Sequence, residues 1–380
     1  MTDLNRFPTD HYTVLNQSSR SFSMAARLLP KNTREDVARL YAWCRWCDDA
    51  VDEAGSFSEA RDRLQELKTD VRRIYHGLPT RHPASKWLAA IVRKYQIPIS
   101  LPIDLLRGME LDLRHRPFTS VKQLVQYSYL VAGTVGLMMS RILGATNPDA
   151  LRRAKSLGIA MQLTNIARDV RDDWRMGRRY IPTPWLELDP NCDIEPTSQM
   201  VRSAAKKLLD LADVYYAMGF SGLEHLPDSS RLSIRISGTI YREIGETIRR
   251  NNCDVMRGRI SVPLRRKTVL AGKCVLEEIV IRSRRWGQHT FSLIIQLTHR
   301  FCTPLFDQGN LMNTNSWYML FLGFSLTLIT GATLFALVGI NPKDPSYSNL
   351  PWIYSAICLA LALVTGMLAK SMERSEGRST

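Results

Sequence analysis

Four polar residues at spacings of three, four and four, namely Gln162, Asn165, Asp169 and Asp173, are the first group in this chain whose types and positions could do chemistry. No helix breaker intervenes between Met161 and Gly177, so that spacing puts all four on one helical face. The neighbouring faces carry Met161, Leu163, Ile166, Ala167 and Val170, which suit packing, so the stripe is expected to look into a cavity bounded by other helices. Two carboxylates about one turn apart (~6 Å) cannot both stay ionised in a dry site without a cation beside them. Hard oxygen ligands of this kind call for Mg2+, with Mn2+ as a substitute, and Mg2+ usually shares one or two carboxylates with a substrate's phosphates. The competing reading is a solvated acidic face paired with Arg168, Arg171 and Arg175.

A second acidic set lies in RLYAWCRWCDDAVDEAG, where Tyr41, Arg45, Asp48 (or Asp49) and Asp52 again fall three to four apart. As an isolated string, DDAVD more often marks an exposed turn. Here Trp43, Cys44, Trp46, Cys47 and Val51 surround it, and a helix this apolar on its other faces is expected to be buried, where acids need partners. Two such pairs, each with an arginine nearby (Arg45, Arg168), read as facing halves of one diphosphate–Mg2+ cage. In such a cage Arg supplies forked donors to phosphate oxygens.

The elements that must position these residues are helical. Before residue 290 the pattern shows no convincing alternating strands, and Pro and Gly mark loops near Gly55, Gly77–Pro83, Pro98–Pro102, Pro117, Asn147–Pro148, Pro182–Pro196 and Pro227. That predicts an all-α domain of about ten helices over residues 1–290. A linker (291–315), a transmembrane hairpin (316–369) and a cytoplasmic tail (370–380) would follow. Ser316–Ile340 and Leu350–Ala369 are free of charge and long enough to cross a ~30 Å hydrocarbon core. Trp317, Tyr318, Trp352 and Tyr354 stand near their ends, as interfacial aromatics do, and basic flanks place both ends in the cytoplasm. The N-terminus has no apolar run and is read as no signal peptide.

The net charge of +15 is uneven: Arg231–Arg285 holds fourteen Lys or Arg against five acids. Nucleic acid, an anionic membrane and an anionic substrate would each suit that surplus, and the apolar stretches behind it decide for the membrane over nucleic acid. Seven cysteines, odd in number and without framework spacing, fit a reducing compartment; Cys44 and Cys47 read as packing.

Taken in order, NQSSRSFSMAARLLP, YAWCRWCDDAVDE, GMELDL, YLVAGTVG and NIARDVRDDWRMGRRYIP resemble the squalene and phytoene synthases, which join prenyl diphosphates head to head. YAWCRWCDDAVDE and GRRYIPTPWL resemble the bacterial phytoene synthases in particular. The resemblance covers residues from about 10 to 270 and implies an isoprenoid-synthase-type helical fold with a central cavity. It further implies that Ser19, Ser21 and Phe22 close over a substrate diphosphate, and that Tyr41, Arg45, Asp48 and Asp52 form the first metal and diphosphate helix. Tyr129 would lie near the reacting carbons, and Gly133 and Gly136 would let a prenyl chain pass, plain helix packing being the equal alternative. Gln162, Asn165, Arg168, Asp169 and Asp173 match the second helix, with Arg178 and Tyr180 at its end. Tyr241 and Arg259 match a late element, in which Arg257 is the other candidate. Asp112 could orient its neighbours, although a structural salt bridge is its more ordinary use.

The implied reaction condenses two geranylgeranyl diphosphates through a cyclopropyl diphosphate to phytoene, with Mg2+ and without NADPH. Downstream carotenoid enzymes are candidate partners at the membrane. Condensation of farnesyl diphosphate to squalene, dehydrosqualene or hydroxysqualene is the near alternative. A silent membrane scaffold is the distant one, and it has no reason to bury carboxylates.

Overall fold

Helices form where apolar residues recur every three or four positions, and among the described residues no strand is found. The computed structural model describes residues 10–285, apart from residues 19, 115, 146, 188–196 and 257. The chain divides into two units, Met1–Leu270 and Ala271–Thr380, of which the second is described only over residues 271–285. The hairpin expected at 316–369, with its linker and tail, lies outside the described residues. Within them no helix is long and apolar enough to cross a membrane.

In order the helices are α1 (His11–Ser18), α2 (Arg20–Ala26), α3 (Lys31–Asp52), α4 (Phe57–Tyr75), α5 (Ser85–Val92), α6 (Ser100–Asp112), α7 (Val121–Ser128), α8 (Thr134–Ile142), α9 (Pro148–Arg175), α10 (Thr183–Leu186), α11 (Ser198–Phe220), α12 (Asp228–Arg250) and α13 (Leu264–Arg285). A π turn, Tyr129–Gly133, joins α7 to α8. Breaks fall at the Pro and Gly positions read from the sequence, and further breaks that it did not mark fall between α2 and α3 and between α12 and α13. Pro102 sits inside the first turn of α6, where its missing N–H would have had no intrahelical partner.

The central element is α9, which packs on α7, α8, α11 and α12. Its start is cut by Asn147, whose side chain accepts from the Asp149 N–H at 2.7 Å, followed by Pro148 at the first helical position. Glycines let its neighbours touch its backbone. A Cβ on Gly136 would stand 2.5 Å from the Ala154 carbonyl oxygen, and one on Gly158 would stand 2.3 Å from that of Ala132. Gly136 therefore serves a close helix crossing, and it also lines the central cavity, so both readings of the GTVG motif hold for it. Gly133 comes near Lys155 and Ile159 in the same crossing.

On the other side α3 is moored by Asp36, which is buried and accepts from Lys94 Nζ at 2.6 Å, Tyr95 OH at 2.7 Å and Arg39 Nη1 at 2.8 Å. The Cys44–Cys47 turn packs as expected. Cys47 is fully buried, Cys44 half-buried, and burial pushes both thiols up from their ordinary range.

Candidate active site

A cavity of about 520 Å³ runs inside the first unit. Its polar end is built from α3 (Tyr41, Arg45, Asp48, Asp52), α6 (Asp112), α7 (Tyr127) and α9 (Gln162, Asn165, Arg168, Asp169, Asp173). Three further pieces close it: Arg178 and Tyr180 beyond α9, Tyr241 on α12, and Arg259 between α12 and α13. The two acidic helices therefore share one cavity, and the solvated-face reading of α9 does not hold for Asp169 and Asp173.

Local folding explains how the later pieces arrive. Gly177 takes a positive φ of 75°, which stops α9 and turns the chain back. Phe118 N then donates to Arg179 O (3.2 Å) and Thr183 N to Phe118 O (2.9 Å), tying GRRYIP to the α6–α7 loop. Arg178 is thereby aimed across the cavity into an ion pair with Asp52. The segment after α12 is held over α9 by Arg171 Nη1 on the Met256 carbonyl (3.2 Å) and by Arg202 on Asp254 (2.8 Å). There Arg259 Nε lies 3.3 Å from Asp169 Oδ1, so Arg259 reaches the site; Arg257, its rival from the sequence, is outside the described residues.

Of the two aspartates at 48 and 49, Asp48 lines the cavity. Asp49 instead takes Arg45 Nε at 3.1 Å, and Arg45 Nη1 lies 3.4 Å from Asp48. Arg168 Nε donates to Asp169 at 2.8 Å. Burial, reinforced by Asp52, pushes Asp48 up to about 7; burial and Asp169 do the same to Asp173. Asp112 is raised by burial to about 6, against the hydrogen bond it accepts from Tyr180 OH at 2.6 Å. Tyr127 also bonds Asp112, and its ring stacks on Tyr180 at 4.7 Å. Asp112 therefore orients two tyrosines beside Arg178, rather than serving a remote salt bridge.

Phe22 lines the cavity against Tyr241, ring centroids 5.1 Å apart. The side chains of Ser19 and Ser21 are outside the described residues. Tyr129 corrects an expectation: it is not among the cavity-lining residues, and its hydroxyl points to Asp104 at 3.4 Å. Tyr127 occupies the cavity instead. Residues two apart in a helix do not face the same way, so only one of the tyrosines in YSYLVAGTVG enters, and it is the one that meets Asp112 and Tyr180.

Among the described residues no three His, Cys, Asp or Glu side chains close on one point as a self-sufficient metal site. The carboxylates stand as two pairs, and Asn165 adds a buried Oδ1 that no protein donor reaches, while its Nδ2 donates to Gln162 at 3.3 Å. Away from this end the lining turns apolar, through Met109, Val131, Met139, Leu157, Leu223 and Leu226. Carboxylates and arginines at the head of an apolar cavity suit a molecule with an anionic head and a hydrocarbon tail.

Residues 15–266 match the profile of the squalene/phytoene synthases. The chain belongs to the squalene/phytoene synthase family. Within that family it is 39% identical over 279 residues to the 15-cis-phytoene synthase of Paracoccus sp., spanning 72% of this chain and 91% of that protein. It is 35% identical over 269 residues to the phytoene synthase of Rhodobacter capsulatus, spanning 69% and 79%. Among solved structures, a dehydrosqualene synthase in complex with ligand superposes with a TM-score of 0.64 at 26% identity, over 72% of this chain and 95% of that one. A squalene synthase from Alicyclobacillus acidocaldarius superposes at 0.55 with 22% identity, over 66% and 98%, a likeness of fold alone. The squalene/phytoene synthase fold is all-α over the described residues, as the helical periodicity predicted.

Proposed function

We propose that this chain is a prenyltransferase that joins two geranylgeranyl diphosphates head to head, through a cyclopropyl diphosphate, to give phytoene. The observation that carries this reading is its 39% sequence identity to the 15-cis-phytoene synthase of Paracoccus sp. across 91% of that protein, together with a family match over residues 15–266 that takes in the cavity lining.

The chain's own residues supply each requirement. Arg45, Arg168, Arg178 and Arg259 offer forked donors to diphosphate oxygens, while Gln162 and Tyr41 border the same head group. Loss of the first diphosphate leaves an allylic cation, which the double bond of the second substrate attacks. Transfer of a proton from the coupled cation to the released diphosphate closes the cyclopropane. After the second diphosphate leaves, rearrangement and a further proton loss give the central triene. Water anywhere near these cations would give an alcohol, so the apolar wall and the aromatic cover of Phe22, Tyr127, Tyr180 and Tyr241 are part of the chemistry. Ser19 and Ser21 belong to the segment leading into Phe22 and would close over the same diphosphate.

Mg2+, or Mn2+ in its place, fits Asp48, Asp52, Asn165, Asp169 and Asp173. All offer hard oxygens, and the unpartnered Asn165 Oδ1 is a ligand in waiting. When bound, the ion would offset diphosphate charge as it departs. The two charge-free stretches support a multi-pass anchor in the cytoplasmic membrane with the catalytic unit facing the cytoplasm, where carotenoid enzymes acting next could take the product.

A second reading, condensation of farnesyl diphosphate, is favoured by the similarity to the dehydrosqualene synthase structure. Incubation with either diphosphate and Mg2+, with and without NADPH, followed by product mass analysis, separates the two. The expected product is a forty-carbon triene from the twenty-carbon substrate, at a rate indifferent to NADPH. A thirty-carbon product formed in preference would move the chain to the second reading.

A further inference from the structure

Four arginines stand at the head of the cavity, and Arg259 is the most exposed of them. Its side chain is 63% open, against 44% for Arg45, 18% for Arg178 and 12% for Arg168. It also comes from no helix, since it lies in the segment between α12 and α13. A long exposed side chain keeps much of its rotamer freedom, so the place of the Arg259 guanidinium is set by where its backbone is held.

Before Arg259 the segment is held at Asp254 by Arg202 and at the Met256 carbonyl by Arg171. After it, Val262 is buried in the main core, which fixes depth but not direction, apolar burial being non-directional. The directional hold is Glu243. Its side chain, buried on α12 at 6% exposure, accepts a forked pair from Arg266, Nε at 2.9 Å and Nη2 at 3.2 Å, and a bond from Arg250 Nη2 at 2.6 Å. Arg266 stands in the first turn of α13, seven positions after Arg259, and Glu243 stands two positions after the cavity-lining Tyr241. Residues two apart on a helix do not face the same way, so α12 offers Tyr241 to the cavity and Glu243 to the returning chain. Burial would raise the Glu243 carboxyl, but Arg266 and Arg250 outweigh it and keep the group below its ordinary range, hence ionised.

We propose that Glu243, through its fork to Arg266, is a positioning residue that holds Arg259 at the diphosphate end of the cavity. This rests on the prenyl diphosphate reading above. The test uses the full chain and measures kcat and KM for geranylgeranyl diphosphate, the dissociation constant of inorganic diphosphate with Mg2+ by calorimetry, and thermal melting. Glu243→Gln, Arg266→Ala and Arg259→Ala should each weaken inorganic diphosphate ~10-fold or more, as the loss or misplacement of one charged donor does. Glu243→Gln combined with Arg259→Ala should bind no more weakly than Arg259→Ala alone, because the mooring then has nothing left to place. A carboxylate that served stability alone would lower melting and leave diphosphate affinity where it was.

Losses that multiply in the double variant overturn the proposal, as does a folded Glu243→Gln or an Arg259→Ala protein with native affinity for diphosphate. Arg266→Ala leaves Glu243 its bond from Arg250, so the buried charge stays paired. Should Glu243→Gln not fold, unchanged diphosphate binding in Arg266→Ala decides against the mooring equally. A native chain that neither binds inorganic diphosphate nor turns over a prenyl diphosphate instead removes the reading beneath, a separate and visible failure.

Discussion

Asp169 carries two arginines, Arg168 at 2.8 Å and Arg259 at 3.3 Å, and shares the cavity with Asp173 one turn on. Asp169→Asn keeps that shape and removes the charge, so turnover should fall at least ~100-fold while melting changes little, as when other groups that stabilise developing charge are removed. Full activity of the variant would leave the metal assignment without support. The tyrosine pair gives a sharper comparison. Tyr127 bonds a buried Asp112 inside the cavity, whereas Tyr129 touches Asp104 outside it. Tyr127→Phe should cost ~10-fold or more in kcat, the scale of one hydrogen bond to a charged group, and Tyr129→Phe should cost little. The opposite order would restore the expectation drawn from the motif. At this scale the acidic spacings were legible because helical periodicity converts sequence distance into a shared face. The Tyr127 and Asp112 partnership was not, since it joins α6, α7 and the chain beyond α9.

At the scale of elements, two helices must be held at fixed separation for the carboxylate pairs to share a substrate. α9 is held by backbone contact through Gly136 and Gly158, while α3 is held by Asp36. Burial raises the Asp36 carboxyl, but Lys94, Tyr95 and Arg39 outweigh it and hold the group below its ordinary range. A depressed folded pKa means stability that is present above the unfolded value near 3.8 and is lost as pH falls through the folded one. Asp36→Asn should therefore lower the melting temperature at neutral pH, by a loss of about 2–3 kcal/mol. It should also flatten the acid limb of stability against pH. An unaltered acid limb would show that Asp36 does not carry this linkage. The sequence marked both helices, both ends of α9 and the loop after α3, but it marked neither the start of α3 nor Asp36.

For the whole molecule the question is what residues beyond the catalytic unit do. The family match ends at residue 266 and the first unit at Leu270, both well before the charge-free stretches. Truncation after about residue 300 should leave turnover of detergent-dispersed substrate intact and release the enzyme from the membrane pellet, the sense expected of an anchor. Loss of turnover in a folded truncation would instead make the residues beyond 300 part of the catalytic unit. Anchoring suits a forty-carbon hydrocarbon, whose burial is favoured by ~0.8 kcal/mol per methylene.

By itself the sequence determined whatever depends on short-range order. The helical class, the loop positions, the two acidic faces and the family resemblance all follow from residue spacings of four or fewer, repeated in order along the chain. Only the tertiary structure decided which side chains meet. Arg178 reaches Asp52 across 126 positions because Gly177 reverses the chain and Phe118 ties it down. Tyr127 lines the cavity and Tyr129 does not, because Tyr127 bonds Asp112 and stacks on Tyr180 while the Tyr129 hydroxyl turns to Asp104. Each of these turns on a contact between segments distant in the chain, and a contact of that kind leaves no period for the sequence to display.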